Sequence, residues 1–176
     1  MSASITRIFA TRAAARVPRS VAMYAASVPA GRRFITIKPI YTAEVTTTGG
    51  RNGHAVSSDK VLDVGLTLPK ELGGPGLEGK VNPEQLFAAS YSACFQGAMG
   101  LAAKGINVNL PENNKVTAAV GIGKHPQGGF GLSVELRISI PGLDNATALK
   151  VVEEAHRLCP YSRAIQDNVE VKLVVV

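Results

Sequence analysis

The apolar and small residues of this chain concentrate in one long segment, Asn82 to Gly105, with the sequence NPEQLFAASYSACFQGAMGLAAKG. Asn82 is a suitable helix cap, Pro83 fits the first helical position, and Gln85 follows the cap by three residues. About twenty residues then follow without a helix breaker, up to a lysine and a glycine that are typical of a helix end. The segment has almost no polar side, which predicts a helix that is buried on several faces.

Alternating apolar and polar positions before this helix predict β-strands. We expect them over residues 34–48 (one or two strands, interrupted at a proline), 54–57 and 61–68. A glycine-rich turn at 49–53 contains Asn-Gly, which is a strong hairpin signal. Residues 69–81 contain four glycines and two prolines and predict a loop, but no GK[ST] follows to make it a phosphate-binding loop.

The chain after the central helix predicts a hairpin, a second helix and a closing strand. The strands are expected over residues 115–124, 130–140 and 169–176, and the helix over 145–158 with Asn145 as its cap. This order is typical of an α+β fold, with largely antiparallel sheets packed on two main helices. The last strand is apolar on both faces in places, so it needs a cover, which favours an interleaved dimer.

Length and charge restrict the function classes. The 176 residues fit one domain with an appendage, and no apolar run reaches the roughly 18 residues that a membrane span requires. The net charge of +6 comes from residues 1–33, which contain six arginines and no acidic residue. Without those six, the 19 basic residues become 13 and equal the 13 acidic ones. Residues 34–176 are therefore formally neutral, which argues against nucleic-acid binding.

The N-terminal segment has the composition of a targeting sequence. It is rich in arginine, alanine and serine, and the first acidic residue is Glu44. This is typical of a mitochondrial transit peptide, and Arg32-Arg33-Phe34 resembles a processing site. We expect a leader over 1–33, a folded domain over 34–176 and a location in the mitochondrial matrix. The alternative is a disordered basic tail.

Two cysteines, Cys94 in the central helix and Cys159 after the second helix, are the candidate chemical groups. Their number and spacing fit neither a dense disulfide framework nor a zinc site, and we expect no metal or other cofactor. A permanent structural disulfide is also not expected in a reducing compartment. A redox-cycling pair and two unrelated buried thiols both remain open at this point.

Five segments, in this order, resemble the organic hydroperoxide resistance (Ohr) branch of the Ohr/OsmC family: GGRNG, SSD, LPKELGGPG, NPEQLFAASYSACF and HRLCPYS. The resemblance extends from about Tyr41 to Val176. It implies an obligate, intertwined α+β homodimer and a cysteine-dependent peroxidase for organic and fatty-acid hydroperoxides. It also implies dihydrolipoyl groups on lipoylated proteins as the reductant. Typical bacterial members lack an arginine-rich leader, a difference that bears only on the compartment.

At matching positions the resemblance implies a role for four residues. Cys94 is the peroxidatic cysteine, Cys159 is the resolving cysteine, and Arg51 and Glu84 form the pair that activates Cys94. The chemistry is reasonable, because the thiolate is the nucleophile and burial alone would raise the pKa of a thiol. An arginine stays charged when desolvated, and its fork can bind a carboxylate while it still faces sulfur.

One geometric difficulty follows from the spacing. Glu84 and Cys94 are ten residues apart, or roughly 15 Å along a straight helix. Either Arg51 spans part of that distance, or the helix is broken near residues 90–92. Apolar residues such as Phe87, Phe95, Met99 and the leucines of the loop before the helix are candidates to accept the tail of an organic hydroperoxide.

Two other functions remain open. A general thiol-disulfide oxidoreductase is one, although the chain contains no CxxC. The other belongs to a different class, a non-catalytic dimeric protein that binds an acyl ligand and uses its cysteines only for packing. This second alternative predicts that Cys94→Ser keeps all activity.

Overall fold

The computed structural model describes residues 36–176, and residues 41–176 of these form one compact unit. The predicted leader over residues 1–33 lies outside the described residues. The elements in chain order are β1 (Val45–Thr48), β2 (His54–Ser57), β3 (Asp63–Gly65), α1 (Pro83–Gly105), β4 (Lys115–Lys124), β5 (Phe130–Ser139), α2 (Asn145–Leu158), α3 (Pro160–Ile165) and β6 (Val171–Val175). The α+β class predicted from the sequence is confirmed.

The strands form two separate sheets of three strands each. In the first sheet β2 lies between β1 and β3, and both pairings are antiparallel. In the second sheet β5 pairs antiparallel with β4 along its whole length and parallel with β6. Two early strands are shorter than predicted, because β1 begins only at Val45 and β3 ends at Gly65. Beyond β3, Leu66 makes a single parallel bridge to Val81, which lies just before α1.

The hydrophobic core lies where α1 and α2 pack together on the second sheet. One face of α1 contributes Tyr91, Phe95, Met99 and the neighbouring alanines, while α2 contributes Val151, Val152 and Ala155. Leu136 and Ile138 of β5 close the core from below and are completely buried. Both helices are therefore held by apolar side chains that recur every three or four residues.

The start of α1 is fixed by a reciprocal pair of hydrogen bonds. The Gln85 backbone N–H donates to the Asn82 side chain at 2.8 Å, and the Asn82 backbone N–H donates to the Gln85 side chain at 2.9 Å. This capping box satisfies N–H groups that have no partner inside the helix. The same role at α2 belongs to Asp144, whose carboxylate accepts from the Thr147 N–H. The predicted cap Asn145 is wrong by one residue, and it is the first helical residue instead.

The central helix is buried on one face only, which differs from the prediction. Its other face is solvent-exposed in the single chain and carries small residues with one large apolar side chain: Ala89, Ala93, Gly97 and Leu101. Leu101 is 63% exposed. The first sheet is similarly open, since all four residues of β1 are exposed and Ala55 alone is buried among its three strands. Within residues 36–176, no helix is long and apolar enough to cross a membrane.

Removal of the Asn82 cap tests how firmly the start of α1 is held. Asn82→Ala should lower the free energy of unfolding by about 1 kcal/mol, because the Gln85 N–H loses its side-chain acceptor. Asn82→Ser keeps an acceptor oxygen and should retain most of the stability. Urea unfolding of the three proteins measures this, and equal losses in the alanine and serine variants would contradict the capping role.

Candidate active site

The two cysteines lie side by side, although they are 65 residues apart in the chain. Their Sγ atoms are 3.6 Å apart. Cys94 is on α1 and is partly accessible, whereas Cys159 is completely buried between α2 and α3. A disulfide has an S–S distance of about 2.05 Å, so a movement of roughly 1.5 Å joins the sulfurs. Both thiols are free in this structure.

The surroundings of Cys94 act in both directions on its acidity. Burial raises the pKa of the Cys94 thiol, and the adjacent Cys159 sulfur raises it further. The backbone N–H of Tyr161 lowers the pKa, since it forms a hydrogen bond that favours the thiolate. The net direction is upward, and Arg51 of the same chain is not among the groups that act on Cys94. The single chain therefore does not activate this thiol.

A buried hydroxyl pair lies beside the thiols. The Tyr91 hydroxyl on α1 and the Ser162 Oγ on α3 are 2.8 Å apart, and either atom can be the donor. The Tyr91 ring also packs edge-on against Phe87, whose ring stacks on Tyr161. Burial raises the pKa of Tyr91, with a smaller contribution from the two thiols, so the phenol stays protonated near neutral pH.

Arg51 lies in a tight turn that only a particular backbone can form. The turn is a single 3-10 turn, Gly50–Asn52, between β1 and β2. At Gly53 a Cβ atom would lie 1.7 Å from the Thr48 carbonyl oxygen, so no other residue fits without rearrangement. The Asn52 side chain accepts a 2.8 Å hydrogen bond from the Leu68 N–H and anchors the turn to the chain after β3.

Arg51 and Glu84 form a bidentate ion pair. Two guanidinium nitrogens donate to the two carboxylate oxygens at 2.9 and 2.7 Å. The Glu84 side chain is 11% exposed and that of Arg51 is 39% exposed. The hydrogen bond from Arg51 lowers the pKa of Glu84, and burial opposes this effect. Glu84 is also in the first turn of α1, where the helix dipole favours a negative charge.

The ion pair and the thiols are in different places within one chain. The helix α1 is continuous from Pro83 to Gly105, so the alternative that the helix is broken near residues 90–92 is wrong. Ser90 and Ser92 instead donate to carbonyl oxygens of the preceding helical turn. Glu84 therefore lies roughly 15 Å along the helix axis from Cys94 of the same chain.

An apolar cleft opens beside Glu84. It has a volume of about 490 Å³ and lies between the loop before α1, the first turns of α1 and strand β4. Its apolar lining includes Leu72, Ala88, Val120 and Ile122. Of the residues considered for an apolar tail, Phe95 and Met99 are completely buried in the core and do not face this cleft.

Some residues near the thiols gave no signal in the sequence. Tyr91 and Ser162 are three residues from Cys94 and Cys159 respectively, which places both on the thiol side of their helices. His156 lies one turn before Cys159, its Nδ1 atom is buried without a hydrogen-bond partner, and burial lowers its pKa. Among the described residues, no group of three or more histidine, cysteine or acidic side chains could hold a metal ion.

Several known proteins are similar to this chain in sequence and in architecture. The family model described as OsmC-like protein matches residues 74–174. An organic hydroperoxide resistance protein from Xanthomonas axonopodis pv. citri is 53% identical over 138 residues, which cover 78% of this chain and 96% of that protein. The crystal structure of an organic hydroperoxide resistance protein OsmC from Legionella pneumophila has a TM-score of 0.73 at 45% identity, covering 78% of this chain and 98% of that one.

A second solved structure supports the same relationship. The organic hydroperoxide resistance protein OhrB of Bacillus subtilis has a TM-score of 0.72 at 41% identity, and the match covers 78% of this chain and all of OhrB. The similarity therefore extends over nearly the full length of these relatives. The chain belongs to the Ohr/OsmC family, and the three relatives named above are organic hydroperoxide resistance proteins.

Proposed function

We propose that this protein is a thiol-dependent peroxidase that reduces organic and fatty-acid hydroperoxides to alcohols. The family relationship supports a role in peroxide detoxification. The observation that carries the finer proposal is the 3.6 Å distance between the Cys94 and Cys159 sulfurs. This distance is short enough for direct disulfide formation and is compatible with two free thiols in the resting state.

The reaction has three steps. The Cys94 thiolate attacks the distal oxygen of the hydroperoxide, the O–O bond breaks, and the alkoxide takes up a proton and leaves as the alcohol. Cys94 is then a sulfenic acid. The Cys159 thiol condenses with it, which forms the Cys94–Cys159 disulfide and releases water. An external dithiol reduces this disulfide by thiol–disulfide exchange and is itself oxidised to a disulfide.

Activation of Cys94 requires a second copy of the chain. The local surroundings raise the pKa of Cys94, and Arg51, the cation that the resemblance implies, is held by Glu84 in the first turn of α1. Because α1 is a continuous helix, no side-chain rotation brings the Arg51–Glu84 pair to Cys94 of the same chain. We propose a homodimer in which the Arg51–Glu84 pair of each copy lies against Cys94 of the other. A permanent cation close to the sulfur lowers a thiol pKa.

Two open surfaces support this dimer. The small-residue face of α1, with Ala89, Ala93 and Gly97, lets a second backbone approach closely, and Leu101 needs a cover. The first sheet carries Arg51 between two of its strands and has no buried face of its own. A three-stranded sheet needs a hydrophobic partner surface for stability, which a second copy would supply.

The proposed substrate class follows from the cleft beside Glu84. In the dimer this cleft would adjoin the Cys94 of the other copy, and its apolar lining would take the alkyl tail of the peroxide. Hydrogen peroxide has no alkyl tail, so the apolar lining of the cleft would not increase its affinity.

The reductant and the compartment are further parts of the proposal. Dihydrolipoyl groups on lipoylated proteins are the proposed dithiol, as the family resemblance implies. The mitochondrial matrix remains a prediction that rests on the composition of residues 1–33 alone. The competing function is a non-catalytic acyl-binding protein, for which the apolar cleft is the favouring observation.

Turnover by cysteine variants distinguishes the peroxidase from the binding protein. With an organic hydroperoxide and a dithiol, Cys94→Ser should lose peroxide reduction entirely, because the nucleophile is absent. Cys159→Ser should complete one reduction per chain and then stall as a sulfenic acid, unless the dithiol reduces that acid directly. Peroxide consumption at the native rate by Cys94→Ser would refute the proposed function.

A shared site predicts complementation between two inactive chains. Arg51→Ala and Cys94→Ser are each expected to be nearly inactive as homodimers. Their tagged and isolated heterodimer should recover about half of the native activity, since one of its two symmetric sites has every group. As a matched control, a heterodimer of Arg51→Ala and Glu84→Gln should recover nothing. No recovery in the first heterodimer would rule out sharing between copies.

Substrate preference tests the cleft. The native protein should have a higher kcat/KM for an alkyl hydroperoxide than for hydrogen peroxide. Leu72→Ser should raise KM for the alkyl hydroperoxide roughly tenfold and leave hydrogen peroxide unaffected, because only the apolar contact is lost. Leu77→Ser, in the same loop but outside this cleft, is the matched control. Equal kcat/KM for both peroxides in the native protein would contradict the assignment.

A further inference from the structure

We propose that Tyr91 and Ser162 are positioning residues, and that their buried hydrogen bond holds Cys159 in reach of Cys94. This inference rests on the proposed function for its effect on catalysis. Its effect on the two thiols can be measured without any peroxide.

The hydroxyl pair joins the same two parts of the fold as the thiols do. Tyr91 is completely buried and precedes Cys94 by three residues on α1. Ser162 is 3% exposed, is the buried residue of α3, and follows Cys159 by three residues. The 2.8 Å bond between their oxygens therefore runs beside the 3.6 Å contact between the sulfurs.

The segment that carries Cys159 depends on tertiary contacts for its position. Cys159 ends α2 and also begins α3, and Pro160 follows it. The helix α3 has only six residues, and a helix of this length is not stable without tertiary contacts. Its contacts with α1 include the stack of Tyr161 on Phe87, the tilted contact between the Tyr91 and Tyr161 rings, and the Tyr91–Ser162 bond. The hydrogen bond between the side chains is more directional than the ring contacts.

Two features of the thiol site depend on the position of α3. The Tyr161 N–H reaches the Cys94 sulfur, where it favours the thiolate. The Cys159 sulfur stays close enough to close a disulfide after a small movement. If the hydroxyl pair is lost, α3 has more freedom, and both arrangements become less populated. The phenol is suited to this role, because its buried hydroxyl remains protonated at neutral pH.

The first experiment measures the Cys94–Cys159 disulfide at equilibrium in buffers of defined dithiol and disulfide. Tyr91→Phe and Ser162→Ala each keep the side-chain packing and remove one hydroxyl. Each should lower the ratio of disulfide to dithiol by about fivefold to tenfold, and the double variant should lose no more than either single one. Ser92→Ala removes a hydroxyl that bonds only within α1, so its ratio should stay native.

Unfolding of the same variants separates positioning from simple stabilisation. A lower melting temperature with an unchanged disulfide ratio would overturn the proposal, because the bond would then be merely structural. Additive losses in the double variant would also overturn it, because the two hydroxyls would then act separately.

The second experiment follows the sulfenic acid after one equivalent of an organic hydroperoxide. Tyr91→Phe should prolong its lifetime, detected with a sulfenic-acid-specific reagent, by about the same factor. Ser162→Thr keeps a hydroxyl, so its Cys94–Cys159 disulfide should form as fast as in the native protein. If the native protein never forms a sulfenic acid but the equilibrium ratios still shift, the peroxidase proposal fails and the positioning role stands. Native lifetimes in Tyr91→Phe would overturn the role.

Discussion

The unbroken helix α1 is the constraint on which the rest of the site depends. It carries Glu84 in its first turn and Cys94 ten residues later, and its rigidity keeps the two roughly 15 Å apart along the axis. The capping box fixes where the helix begins, so it also fixes where Glu84 meets Arg51. Because Glu84 holds Arg51 in place, Arg51 can act on a thiol only if that thiol is brought to it, and this is why we propose a second copy of the chain.

The thiol pair illustrates a conflict between packing and reactivity. Core packing brings Cys159 to Cys94, but the same burial raises the pKa of the nucleophile. The Tyr161 N–H offsets this only in part. A bidentate arginine can supply the missing charge, and its partner carboxylate keeps it oriented when it is desolvated. The proposed dimer thus resolves the conflict by dividing the nucleophile and its activating charge between two chains.

The sequence predicts well those features that local signals determine. The bounds of α1 follow from Asn82, Gln85 and the terminal glycine, since a cap acts on residues three positions away. The sequence places the cap of α2 one residue too late, because Asp144 and Asn145 are adjacent and both suit that position. Strands were less predictable. Alternation predicts a strand or two over residues 34–48, but the observed strand begins only at Val45. The parallel pairing of β6 with β5 depends on contacts between residues that are far apart in the chain.

The site was predictable where motifs carry it and not where only tertiary contacts do. The resemblance pointed to Arg51 and Glu84, and the structure places them in bidentate contact. The Tyr91–Ser162 bond joins residues 71 positions apart, and neither residue type signals such a partner by itself. The sequence predicts that α1 is buried on several faces, whereas one face is open in the single chain, because an alanine-rich helix suits a core face and a close helix–helix contact equally well.

The mass of the reduced protein after one equivalent of an organic hydroperoxide distinguishes a two-cysteine peroxidase from a protein whose cysteines only pack. A peroxidase should lose about 2 Da, which corresponds to two hydrogens, and should yield a proteolytic peptide pair that links Cys94 to Cys159. In Cys159→Ser we expect a gain of about 16 Da, for one oxygen, on the peptide that contains Cys94. An unchanged mass in the native protein, with the peroxide still present, would contradict a two-cysteine peroxidase.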